Sequence, residues 1–174
     1  MMSAPWSFTR FQRDGFCDLL VVVFHTELTE ASMTMFLHAL NDAVDWEGTV
    51  SRGVRLGLLI DTSKLGSPPA VTALQVRDFM SRNRENFARC STCTVIMVRS
   101  RVVRFLLRGV FMVQEPARPV EVCSSVSHGL ELLSLRYNVV MPDIEALDRL
   151  GVKLSDDGVA SENEHFEQAS DATA

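Results

Sequence analysis

The chain has 174 residues, 47% of them hydrophobic, and a formal net charge of −5, which suits one domain with a sizeable core. No apolar run is long enough to span a bilayer, and the opening Met1–Ser7 lacks the basic start and apolar stretch of a signal peptide. A cytoplasmic protein whose four cysteines stay as thiols is therefore expected.

The charge is unevenly distributed. Residues 155–174 hold six acidic side chains and no Lys or Arg, leaving 17 basic against 16 acidic residues elsewhere. Between residues 77 and 118 there are nine arginines and three acids. The body is close to neutral, with one arginine-rich region and an acidic end.

In chain order, residues 7–13 alternate as a short edge strand, and Asp14-Gly15 signals a hairpin into an apolar run from Phe16 to Phe24. Thr29 is placed to cap a helix over 30–46, whose Met33, Phe36, Leu37, Leu40 and Val44 recur at helical spacing. A polar turn is expected over Glu47–Gly53, then a central strand from Val54 to Ile60. Ser67-Pro68 reads as an N-cap and first helical position, opening one helix that runs to about Phe87. A strand over Thr92–Val98, a helix from Arg101 to about Val113, a short strand at Val120–Val122 and a last helix capped by Ser125 or Ser127 complete the pattern. Strands alternating with helices predict an α/β fold of order β-β-α-β-α-β-α-β-α, with a mostly parallel sheet covered by helices. Residues 1–140 form the expected domain, and 141–174 a C-terminal extension. Its low-hydrophobicity, acidic stretch from Ser155 is expected to be disordered.

No catalytic set stands out. Cys90 and Cys93 have redox spacing, but they precede a strand instead of opening a helix, where the dipole would lower a thiol pKa. No second ligand pair accompanies them for zinc, so neither a metal nor a cofactor is expected. Gly-x-Gly-x-x-Gly, P-loop and Gly-x-Ser-x-Gly patterns are absent. An enzyme using Asp61 and His25 at the sheet edge is the weakest alternative.

Two regions remain as candidate sites. The loop after the central strand holds Asp61, Ser63 and Ser67 at the edge where open α/β sheets gather ligands, and phosphate on Ser67 would lie favourably at a helix N-terminus. Arg101, Arg104 and Arg108 fall at i, i+3 and i+7, a candidate anion- or partner-binding face. The plainer reading of that face is the solvated side of a packed helix. Nucleic acid is not expected, because the patch lacks interleaved exposed aromatics.

Leu58-Leu59-Ile60-Asp61-Thr62-Ser63, Thr94–Val98, Arg104–Leu107 with Phe111, Arg118–Cys123 and Ser127–Glu131 together resemble the STAS family, in its SpoIIAA-like branch related to Sec14-type lipid-binding domains. The resemblance covers about residues 7–135. It implies a STAS-like scaffold and a non-enzymatic regulatory or protein-interaction module with a protein partner. The alternative is a carrier or sensor of an apolar or acidic lipid, motivated by the apolar helix 102–113, the Met- and Phe-rich helix 33–44 and the arginine stripe, and a homodimer is compatible with either. The family's phosphorylated serine matches Ser67, although Gly66 and two prolines flank it here.

Overall fold

The computed structural model describes residues 5–65 and 68–152. The elements are β1 (Trp6–Phe11), β2 (Asp18–Phe24), α1 (Glu30–Val44), α2 (Trp46–Ser51), β3 (Leu56–Asp61), α3 (Ala70–Arg82), α4 (Arg84–Cys90), β4 (Ser91–Met97), α5 (Arg101–Val113), β5 (Val120–Cys123), α6 (Val126–Tyr137) and α7 (Ile144–Arg149). The strands form one sheet in the order β1-β2-β3-β4-β5. β1 runs antiparallel to β2 and the other pairings are parallel, so the sheet is mixed.

Because each parallel strand is added on the same side of the last, crossovers of one hand carry α1, α3 and α5 to one face. Only α6, which follows the final strand, and α7 reach the other. Strand side chains alternate accordingly. Leu20, Val22, Phe24, Leu56, Leu58 and Ile96 enter the core under α1. Leu19, Val21, Val23, Leu59, Val95 and Met97 enter the second core under α6, which also takes Leu147 and Val152. β2 is buried at every position, the expected reading of a strand covered on both faces.

Local chemistry sets the boundaries. Thr29 caps α1 by accepting from the Ser32 amide, and Ser32 Oγ accepts from the Thr29 amide in return. The polar turn expected at 47–53 is instead α2. Asp45, left-handed at φ 49°, ends α1 and caps α2 through its carboxylate on the Gly48 amide. The helix expected from Ser67 to Phe87 differs at both ends. A residue before proline is disfavoured in helical backbone, which works against Pro68, before Pro69, as the first helical position. Pro69 takes the N-cap and α3 starts at Ala70. At Asn83 the side-chain Nδ2 donates to the Phe79 carbonyl, and the chain breaks into α3 and α4. α5 spans the expected residues, and Ser125 caps α6 through the His128 amide.

At the β1 edge, Arg10 donates from Nε and Nη2 to Asp18 Oδ2 at 3.0 and 2.8 Å, and also reaches the Val44 carbonyl and Thr49 Oγ1. This cluster ties the edge strand to the end of α1 and the start of α2.

Candidate functional site

The layer over the first face is uneven. α1 sinks five side chains into the core. α3 fully buries only Thr72 and Phe79, and α5 only Val103 and Val110. α3 packs against α5 and α1 more than against the strands beneath it. Under this pair lies a cavity of about 170 Å³. Its floor is Leu58, Ile60, Thr94 and Ile96, and α1 supplies Met33, Phe36, Leu37 and Leu40. α3 adds Ala73, Val76, Phe79 and Met80, and α5 adds Val103, Leu107, Val110 and Phe111.

Two hydroxyls of this wall are already engaged. Thr62 Oγ1 donates to the Met97 carbonyl at 2.5 Å, and Thr72 Oγ1 donates to the Pro69 carbonyl at 2.6 Å. The interior therefore demands almost no hydrogen bonding from an occupant. Charge is confined to the rim formed by α4 and the segment after α5, where Arg84, Glu115 and Arg118 lie. Arg84 Nη1 donates to the Glu115 carbonyl at 2.6 Å, and Arg118 Nε donates to the Ala88 carbonyl at 3.0 Å. These acceptors are neutral, and no ion pair among the described residues involves either guanidinium. The rim therefore keeps a positive field beside an apolar chamber.

Of the candidate site residues, Asp61, Ser63, Arg101, Arg104 and Arg108 do not line this chamber. Asp61 ends β3 with its side chain on the second-core face, 2% exposed, and its Oδ1 accepts from the Ser63 amide at 2.8 Å. It holds the loop's turn. Ser67 lies outside the described residues. His25 shares a 2.9 Å hydrogen bond with Ser7 on β1, so it and Asp61 are held by different partners. Arg101 is exposed. Arg104 turns back to the Val98 carbonyl at 3.3 Å, capping the end of β4, and Arg108 is half-buried.

Cys90 and Cys93 sit in different cores, on opposite faces of the sheet. Burial pushes the Cys90 thiol up, with Arg89 pulling partly against it. Burial, with Glu121 and Cys17 nearby, pushes Cys93 up to about 12. Both are the reverse of a reactive thiolate. Among the described residues no group of His, Cys, Asp and Glu is placed to hold a metal ion.

The chamber lies beside α1 and α5, the apolar helices behind the lipid-carrier expectation, but its extent over α3 was not legible in the sequence. Its signals were indirect: Ala73 and Val76 where α3 should carry larger core residues, and a helix α5 that is apolar on more than one side. No helix among the described residues is long and apolar enough to cross a membrane. No protein-family model matches the chain, and no curated protein matches it.

Proposed function

We propose that this protein is a non-enzymatic binding module for an elongated apolar ligand with an acidic end. The observation that carries the reading is the cavity between the sheet, α1, α3 and α5, about 170 Å³ in volume and walled almost wholly by hydrocarbon. An apolar void of about 150 Å³ already suffices to take up benzene. The chamber is partly open to solvent, so without an occupant it leaves hydrocarbon against water, at about 25 cal/mol for each Å² so exposed. A resident ligand offsets that cost. Its hydrocarbon body would fill the chamber, and its carboxylate or phosphate would meet Arg84 and Arg118.

Native mass spectrometry of the purified full chain, together with displacement of anilinonaphthalene sulfonate by palmitate, tests this. A bound apolar acid, or saturable displacement that Val76→Phe weakens about tenfold or more, is the expected result. A clean unliganded mass together with no saturable probe binding sinks the reading.

A regulatory or protein-interaction module of STAS type is the second reading. It is supported by the alternation of strands and helices after the β1–β2 pair and by the Asp61–Ser63 turn at the end of β3. Phosphate mapping on protein recovered from its own cells is the check. Phosphate at Ser67 supports this reading, and an unmodified Ser67 under every growth condition removes its switch.

A further inference from the structure

We infer that the outer face of α5 docks on an anionic lipid bilayer, an interaction that goes beyond the cavity's ligand and stands without it. The sequence from residue 86 to residue 114 contains five arginines and no acidic residue. A helix side that was merely solvated would be lined with polar groups. Here Phe105, Met112 and Val113 stand 74%, 86% and 72% exposed, with Val102 at 46%. On α3, across a shallow groove shared with Phe105 and Val113, Leu74 is 50% exposed. Only Arg101 and Arg108 break this apolar outer face.

Large apolar tips interleaved with long basic side chains are what an interfacial helix needs. The tips enter the headgroup–acyl boundary, while the guanidinium groups remain among the phosphates. Few acids oppose this approach from neighbouring elements. Asp78 on α3 is ion-paired with Arg77 at 2.7 Å, and Glu115 lies beyond the end of α5. A second copy is a poorer occupant, since a two-fold contact would bring two arginine rows together. The acidic stretch 155–174 matches in charge, but its only aromatic is Phe166 and its only branched aliphatic is Val159, too little to cover the exposed tips.

The full chain is co-sedimented with vesicles of phosphatidylcholine alone and of phosphatidylcholine with phosphatidylglycerol at about three to one. Binding to the anionic vesicles alone is expected, falling steeply with added salt. Phe105→Ser with Met112→Ser weakens it about tenfold or more, and Arg101→Gln about threefold. All three residues are exposed, so far-ultraviolet circular dichroism and the melting temperature stay near wild type. Three results overturn the inference: no binding to anionic vesicles, equal binding to neutral ones, or binding indifferent to the double substitution. A concentration-dependent dimer that the double substitution dissolves, without vesicle binding, also overturns it and assigns the face to a second copy. Val76→Phe blocks the cavity without touching this face, so the two proposals fail separately.

Discussion

On the face covered by α6 and α7, Gly57 and Gly129 bring the chain so close that a Cβ at either would come within 2.7 Å of Val139 or 2.9 Å of Val95. On the face covered by α1, α3 and α5, two helices lean on each other and leave a chamber of about 170 Å³ above the strands. The same strands supply both floors, alternating residue by residue, so strand composition does not cause the difference. The covering helices do. α6 seats Val126, Gly129, Leu130 and Leu133 directly on the sheet, whereas α3 offers Ala73 and Val76 to its part of the chamber. One face is therefore closely packed against its helices, and the other leaves room above the strands.

The largest effect should come from truncating the tight face. Leu133, 1% exposed, has no room to collapse around an alanine, so Leu133→Ala should cost about 4 kcal/mol in urea unfolding. Leu107, half-buried on α5 beside the chamber, already lacks neighbours on one side. Leu107→Ala should cost only about 1–2 kcal/mol. Equal losses at the two positions would show that the faces are packed alike.

Adding volume should reverse sign between the faces. Gly129→Ala drives a methyl group toward Val95 Cγ1, Cys123 Sγ at 3.1 Å and Leu59 Cδ1 at 3.3 Å, and should cost about 2 kcal/mol by overpacking. Val76→Phe puts its added carbons into the chamber, and in ligand-free protein should raise stability by about 1 kcal/mol. Thermal melts of delipidated protein measure both. Destabilisation by Val76→Phe comparable to that of Gly129→Ala would mean that the chamber closes in solution.

This asymmetry also explains what could be read from the sequence. Periodicity and caps located nearly every element: Thr29, Ser125 and the run Arg101–Val113 act locally, and the structure uses them as expected. The missed boundaries depended on competing local bonds. Asp45 serves two helices, Pro69 displaces the expected cap, and Asn83 competes for the Phe79 carbonyl. The apolar helices α1 and α5 were legible, but the extent of the chamber was not, because a void is a relation among helices far apart in sequence. Residues singled out for their chemistry, Asp61 and Arg104, spend their polar atoms on backbone groups. Arg84 and Arg118 gained interest only once the fold set both at one rim.

An effect comparable in size to that of Val76→Phe concerns the two cysteines, which the sequence brackets as a pair and the sheet separates. Cys93 lies in the tight core with its thiol pushed from 9.0 to about 12 by burial, with Glu121 and Cys17 reinforcing the shift. The sign follows from linkage. Between those values the unfolded chain loses the thiol proton while the folded chain keeps it, so stability falls as pH rises above 9 and is unaffected below it. At pH 10 the loss should be about 1.4 kcal/mol relative to neutral pH. Tyr137, also pushed up by burial, contributes to any alkaline loss, so the measured quantity is the wild-type slope minus that of Cys93→Ala. Cys90, under the looser layer and partly relieved by Arg89, should give a shallower difference when replaced in the same way. If Cys90→Ala removed the larger share of the alkaline slope, the ranking of the two faces by packing would be reversed.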